Sequence, residues 1–316
     1  MIKEIKLLKI TLIIPCFNES GILSKTICTL EQIMHEVADY SLLFVDDGST
    51  DDSWELLTKA GQQNPKISAI RLSRNYGKEA ALCAGLEQAE GDAVIILDSD
   101  LQHPPELIPE MINLWKQGYD VVEGVKKSRG KESLFSKLSA KIFYGLFKKF
   151  SGNSLDNASD FKLLDRKVVL AWRQFKERDT FFRGLSAWMG FKRIVIPFVV
   201  QDREGGESKW SFRKLLRLSI SAITGFSAKP LLIVPLLTFI LSIFFLVLAV
   251  QTLINWCSGR AVEGFTTVIL LVLLIGSAIM ISLSMIALYI ANIFNEIKGR
   301  PRYLVSEQLN LPDKEQ

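Results

Sequence analysis

Two stretches of this chain, residues 231–256 and 265–290, contain no Asp, Glu, Lys or Arg and are almost wholly apolar. Each exceeds the roughly 20 residues a helix needs to cross a bilayer core, which commits the chain to a membrane before anything else is known. The sequence predicts transmembrane helices over residues 230–257 and 264–292. The link between the two runs has only Arg260 and Glu263 as charges, so the spans form a hairpin. Arg213, Lys214, Arg217 and Lys229 precede the hairpin, and Lys298, Arg300 and Arg302 follow it. Cations on both flanks place both termini in the cytoplasm, as expected for a multi-pass protein of the cell's inner (plasma) membrane. The N-terminal Met1-Ile2-Lys3-Glu4-Ile5-Lys6 threads charge through a short apolar run without a small-residue cleavage site, so no secretory leader is expected.

The remainder is long enough to bury a core of its own. From residue 10 to 122, apolar runs of strand length alternate with amphipathic stretches. Strands are predicted over residues 10–14, 42–45, 67–71, 93–97 and 120–122, and again at 194–200. Helices are predicted over 20–37, 51–61, 77–90 and 105–117. That rhythm gives an α/β class with a mainly parallel sheet covered on both faces, a cytoplasmic domain over residues 1–210. Residues 126–149 carry eight Lys and Arg against Glu132 alone, with apolar residues at helical spacing. An amphipathic basic helix over about 133–150 that lies on anionic headgroups is expected, and a second interfacial helix over 211–229. Residues 293–316 read as a cytoplasmic tail. Four cysteines without a Cys-x-x-Cys pair and two histidines provide no zinc or redox framework, and a net charge of +4 is too small to argue for nucleic acid.

Chemistry concentrates where strands end. Asp98-Ser99-Asp100-Leu101-Gln102 follows the fourth strand, placing two carboxylates and an amide at the lip of a cleft. Oxygen ligands in that position suit Mg or Mn carrying nucleotide phosphates, with Asp98, Asp100 and Gln102 as the candidate ligands. Pro104 and Pro105 stiffen the loop and start the next helix. Asp46-Asp47-Gly48-Ser49 ends the second strand and can accept hydrogen bonds from a base or a ribose, while also serving as a turn and cap for the helix that follows. Arg203-Glu204-Gly205-Gly206-Glu207-Ser208-Lys209 combines cations, glycines and a hydroxyl, a candidate phosphate loop near the membrane. Asp156 and Asp160 are candidates for a further carboxylate in the cleft. His103 reads as a packing residue at a helix start.

Ile13-Ile14-Pro15-Cys16-Phe17-Asn18-Glu19, Val45-Asp46-Asp47-Gly48-Ser49, Arg74-Asn75-Tyr76-Gly77-Lys78 and Asp98-Ser99-Asp100-Leu101-Gln102 together resemble glycosyltransferase family 2, with its GT-A fold. Ser159-Asp160-Phe161-Lys162, Gly206-Glu207-Ser208-Lys209 and the two spans narrow the resemblance to polyprenyl-phosphate glycosyltransferases, most like the bactoprenol glucosyltransferases and more distantly dolichol-phosphate mannose synthases. The resemblance implies that Pro15, Phe17, Glu19, Asp47, Lys78 and Ser99 hold the nucleotide sugar, and that Asp98, Asp100 and Gln102 surround the metal. It assigns phosphate contacts to Lys126, Arg129, Arg203, Ser208 and Lys209, and places Asp98, Asp100 and Asp160 in catalysis. Ser159 and Lys162 depart from the Gly-Asp-Phe-Arg pattern of that family, and a lysine cannot reproduce a bidentate arginine contact.

The expected reaction is transfer of a hexose, with glucose the first choice, from a UDP-sugar to undecaprenyl phosphate at the cytoplasmic face, inverting and metal-dependent. A GDP-mannose-using relative, a processive polysaccharide synthase and a non-enzymatic nucleotide-sugar sensor or membrane scaffold are the competing readings. The synthase is disfavoured by the absence of Gln-x-x-Arg-Trp. Gly276, Ser277, Ala278, Ser282 and Ser284 give the second span a small-residue face, so a homo-oligomer is expected, and the resemblance allows a tetramer.

Overall fold

The computed structural model describes residues 8–128, 158–175, 177, 181–199, 233–258 and 264–311. Both amphipathic helices expected from the sequence, 133–150 and 211–229, lie outside the described residues. The chain divides into two units, one holding the sheet together with residues from Arg300 onward, the other running from Phe212 to Gly299 with a short piece at Lys149–Gly152.

The sheet is built from β1 (Lys9–Cys16), β2 (Asp39–Asp46), β3 (Ile67–Leu72), β4 (Ala93–Ile96), β5 (Val121–Ser128), β6 (Ala158–Asp165), β7 (Arg193–Val199) and β8 (Val305–Leu309). Its eight strands run in the order β7-β5-β6-β4-β1-β2-β3-β8. β1 pairs in parallel with β2 and β4, β2 with β3, and β5 with β7, while β6 and β8 run antiparallel to their neighbours. Interior parallel strands are covered on both faces and therefore read as apolar runs, which is what β4 is throughout and β1 is from Leu12 onward. The helices between them are α1 (Ser20–His35), α2 (Ser53–Gln63), α3 (Lys78–Gln88) and α4 (Ile108–Lys116). α1, α2 and α4 bury Leu23, Leu30, Met34, Leu57, Met111 and Ile112 against Ile10, Leu12, Ile14 and Phe44. α3 covers the opposite face so closely that a Cβ on Gly85 would meet the Ile13 side chain at 2.4 Å. α5 (Arg166–Trp172) is tied to the end of α3, since Arg173 just beyond it donates to the carbonyls of Leu86 and Ala89. α6 (Phe182–Trp188) packs on α5 through the Trp172–Phe182 ring pair.

Two strands were not expected from the sequence. β6 carries Asp160 and Lys162, yet both are at most 4% exposed, and charge in a buried strand defeats a hydropathy reading. β8 corrects the expectation of a tail over 293–316. Residues up to Ile297 are helical, and Val305–Leu309 form the sheet's edge strand, with Arg71 opposite Glu307. Its sequence, Val-Ser-Glu-Gln-Leu, is mostly polar because one side of an edge strand faces water.

The second unit contains α7 (Ile233–Cys257, 25 residues) and α8 (Phe265–Ile297, 33 residues). Among the described residues one segment is long and apolar enough to cross a membrane, Leu274–Phe294 within α8, with a mean hydropathy of 2.2. Met280, Ile281, Leu288 and Phe294 within it are exposed.

Candidate functional site

The loops that leave β1, β2, β3 and β4 lie at the carboxyl ends of parallel strands, where open α/β sheets form their ligand crevice. Those after β1 and β2 are stitched into one surface. Asn18 adopts φ +55°. Its N–H donates to Ser49 Oγ at 2.9 Å, and its Oδ1 accepts from Thr50 N–H at 2.8 Å. Glu19 N–H donates to Ser53 Oγ, and Ser20 N–H to Asp51 Oδ2. Burial works against ionisation of Asp51, but hydrogen bonds from Ser53 and Ser20 hold its carboxyl down at about 2. The loop after β3 closes over the same surface. Gly48, at φ +71°, lies so near Arg74 that a Cβ would meet its carbonyl carbon at 2.4 Å, so only glycine fits. Asp47 accepts from the N–H groups of Tyr76 and Gly77 at 2.7 and 2.8 Å. Burial raises the Asp47 carboxyl despite those two bonds.

The fourth loop meets side chains from three other elements. Lys78, the first residue of α3, sets its ammonium against both Asp98 and Asp160, 2.8 Å from Asp160 Oδ2. Arg183 of α6 closes the chain of charges, its Nε and Nη2 donating to the two oxygens of Asp160 at 2.7 and 2.8 Å. Burial would lower Lys78, but the carboxylates outweigh it and raise its pKa. Asp160 is held well below the usual carboxylate range, since Lys78 and Arg183 overcome the cost of its burial. Asp98 is likewise lowered, burial being outweighed by Lys78. Glu79 goes the other way. Its Oε2 accepts from Phe182 N–H at 2.8 Å, and burial together with the Asp160 charge pushes it up to about 7.

His103 is both what the sequence suggested and more. It is buried and stacks on Phe161, with ring centroids 5.3 Å apart, and its Nδ1 accepts the Asp98 N–H at 3.3 Å. The structure thus fixes the backbone of the first acidic residue through a packed aromatic. Asp100 Oδ1 accepts from Gln102 N–H, Leu101 takes φ +54°, and the Ser99 carbonyl accepts from Thr26 Oγ1 at 2.7 Å. The loop is therefore bound at nearly every residue, and a rigid loop is what a binding site needs.

Among the residues expected to bind the nucleotide sugar, Pro15 is buried near the end of β1, Ser99 is buried in the loop after β4, and Phe17 and Glu19 are half-buried in the loop after β1. Lys78 stands between Asp98 and Asp160. Lys126 lies near the end of β5, and Arg129, Arg203, Ser208 and Lys209 lie outside the described residues. Arg183 and Glu79 were not anticipated. Glu79 adjoins the Arg74–Lys78 motif and was within reach of the sequence; Arg183 sits in an unremarkable stretch that offers no signal. Lys162, on the same strand face as Asp160, is buried, with Nζ 2.6 Å from Ser186 Oγ and 3.3 Å from Glu123 Oε1. Ser159, in the place of the glycine, hydrogen-bonds the Gly124 carbonyl.

Asp98, Asp100 and Gln102 offer oxygen donors only, the chemistry of a hard divalent cation. Among the described residues no three His, Cys, Asp or Glu side chains gather as a cage.

Comparison with known proteins identifies the family. The family described as "Glycosyl transferase family 2" matches residues 11–172, from β1 to the end of α5. The uncharacterized glycosyltransferase YkcC of Bacillus subtilis is 36% identical, covering 96% of this chain and 95% of its own. The SfII prophage-derived bactoprenol glucosyl transferase of Shigella flexneri is 32% identical, covering 95% and 98%. The undecaprenyl-phosphate 4-deoxy-4-formamido-L-arabinose transferase of Photorhabdus laumondii is 34% identical, covering 95% and 94%. Among solved structures, glucosyl-3-phosphoglycerate synthase from Mycobacterium tuberculosis is 20% identical with a TM-score of 0.47, covering 69% of this chain and 78% of that one. With the family match over the strands that build the crevice and kinship at 32–36% along nearly its whole length, this chain belongs to glycosyl transferase family 2 as a glycosyltransferase related to those that load sugars onto bactoprenol or undecaprenyl phosphate.

Proposed function

We propose that this enzyme transfers a hexose, glucose in the first instance, from a UDP-sugar to undecaprenyl phosphate at the cytoplasmic membrane face, with inversion at the anomeric carbon. The observation that carries the reading is the Asp98–Lys78–Asp160–Arg183 chain of charges at the end of β4, beside the joined loops of β1, β2 and β3. Support for the acceptor comes from the relatives: their names give two different sugars, with bactoprenol as the lipid in one and undecaprenyl phosphate in the other.

In this reading the residues about 15–19, 47 and 99 receive the nucleoside, and Asp98, Asp100 and Gln102 would hold Mg or Mn. When bound, the cation supplies charge neutralisation to the departing diphosphate. The acceptor is a phosphate monoester whose second pKa is about 6, so near neutral pH its oxygen attacks as a dianion without help from a base. The new bond joins that oxygen to the anomeric carbon as the bond to the diphosphate breaks, and the nucleoside diphosphate leaves with the electron pair. Asp160 then orients rather than abstracts, because Lys78 and Arg183 favour its ionised form and make it a weak base. Lys78 and Arg183 bring positive charge to a cleft that must receive two phosphate-bearing substrates, one stabilising contribution to the transition state.

A two-span hairpin accompanies this reading. Two crossings would return the chain to the side it left, which suits β7 and β8 sharing one sheet. α8 supplies one, and α7 has the length for the other.

Membranes containing the enzyme, given radiolabelled UDP-glucose, should yield label in an organic-extractable lipid, and Asp100→Asn should lose that product. Full transfer by Asp100→Asn with metal present would end the site assignment; labelled insoluble polymer would point to a synthase, and no product with any UDP- or GDP-sugar to a sensor.

A further inference from the structure

The segment after the membrane helix does more than return to the sheet. At the β3–β8 edge, Glu307 stands opposite Arg71, and its two oxygens are both used: Oε1 accepts from Arg71 Nη1 at 2.8 Å and Oε2 from Trp54 Nε1 at 3.0 Å. The Arg71 guanidinium, 5.6 Å from the Trp54 ring, turns its other nitrogens toward the end of β2. Nη2 donates to the Ser49 carbonyl at 3.3 Å, and Nε lies 3.5 Å from Asp46 Oδ2. Asp46 is fully buried, and its Oδ2 has no hydrogen-bond partner, so the Arg71 charge is what offsets that oxygen. Asp46 Oδ1 in turn accepts the Ser49 N–H at 3.0 Å and fixes the turn that presents Asp47 and Gly48.

From these contacts we infer that Glu307 is a positioning residue for nucleotide binding: it aims the Arg71 fork at the Asp46–Ser49 loop, so that the strand following the membrane helix completes the donor pocket. A planar guanidinium can serve two carboxylates and a carbonyl only in one orientation, and Glu307 with Trp54 sets that orientation. Arg71 is itself about a third exposed. Without Glu307 it has water as an alternative partner, and the buried Asp46 loses its counter-charge for part of the time. The start of β8 reinforces the arrangement, since Ser73 N–H donates to the carbonyl of Leu304, just before the strand, and the Ser306 hydroxyl to the Arg71 carbonyl.

The inference rests on the reading of residues 46–49 as part of the nucleoside pocket, and the test separates the two. Full-length protein in detergent is titrated with UDP and with GDP, and steady-state transfer is measured with varied donor and varied acceptor. Glu307→Ala is expected to raise donor KM and nucleotide Kd about five- to tenfold, with kcat and acceptor KM within about twofold. Arg71→Lys should show the same defect, and the double variant no more than either alone, since both act through one path. A Glu307→Ala protein with a lowered melting temperature but unchanged donor KM and Kd would overturn the inference, because a merely structural strand predicts that pattern. Should Glu307→Ala fail to fold, Trp54→Phe keeps an aromatic ring while removing the indole N–H to Glu307 together with part of the ring, and is expected to raise donor KM about two- to threefold; an unchanged value there counts equally against it. Wild-type protein that bound neither nucleotide would remove the pocket reading and the inference with it.

Discussion

Glu79→Gln is the substitution whose consequence can be worked furthest from the structure. The carboxyl lies next to Lys78 at the start of α3, accepts the Phe182 N–H, and is pushed from an ordinary 4.5 up to about 7 by burial and by the Asp160 charge, against the pull of Phe182 N–H, Arg183 and Lys78. Because the folded value exceeds the unfolded one, the folded chain holds this proton more tightly. The associated stability is fully present below pH about 4.5 and is lost as the pH rises through about 7. The gap between those values corresponds to about 3 kcal/mol, given about 1.36 kcal/mol for each pH unit. Glutamine keeps an oxygen for the Phe182 N–H but never ionises, so it avoids that loss. For a catalytic unit of this size, about 3 kcal/mol moves the melting temperature by roughly 6–12 °C. Tryptophan-fluorescence melts of detergent-solubilised wild type and Glu79→Gln, run from pH 4.5 to 8.5, should therefore coincide at the acid end and diverge through neutrality, the variant melting higher. Two curves that stay parallel across that range would refute the reasoning, for they would mean that Glu79 titrates alike in the folded and unfolded chain.

Gly48→Ala places a Cβ 2.4 Å from the Arg74 carbonyl carbon at a φ of +71°; strain of about 1–2 kcal/mol for the backbone and about 1–3 kcal/mol for the clash should appear as a lower melting temperature and weaker nucleotide binding. Glu123→Ala leaves the Lys162 ammonium, 1% exposed, with Ser186 as its polar neighbour. A loss of about 3–5 kcal/mol is expected in thermal or denaturant unfolding, and Glu123→Ala combined with Lys162→Met should recover most of it. Arg183→Lys replaces a two-pronged hold on Asp160 by a single ammonium. Steady-state transfer should show kcat down about tenfold with donor KM within about twofold, and an unchanged kcat would free Asp160 from the orienting role.

What the sequence discloses here depends on whether the relevant partners are neighbours in the chain. β1 to β4 are legible because each carries a short apolar run through its middle, as parallel strands buried on both faces require, and their end loops are legible because the polar residues follow within a few positions. β6 breaks that rule by burying Asp160 and Lys162, and β8 by being a polar edge. The charge chain is illegible for a different reason: Lys78, Asp98, Asp160 and Arg183 are brought together by β4, β6, α3 and α6, and no periodicity connects them. The case of Lys162 shows how far the two kinds of reading diverge. As a letter in a motif it looks like a weakened substrate contact, a lysine where a guanidinium is expected. In the fold its partner is Glu123, which is 1% exposed and whose other oxygen lies 3.3 Å from Arg193 Nη1. The fork that a lysine cannot make is divided between two cations, an ammonium from β6 and a guanidinium from β7, one on each carboxylate oxygen. Lys162→Arg should therefore crowd a carboxylate that already has two cationic partners, lowering stability while leaving donor KM unaltered. A gain in kcat from that substitution would instead mean that residue 162 acts on substrate rather than through Glu123.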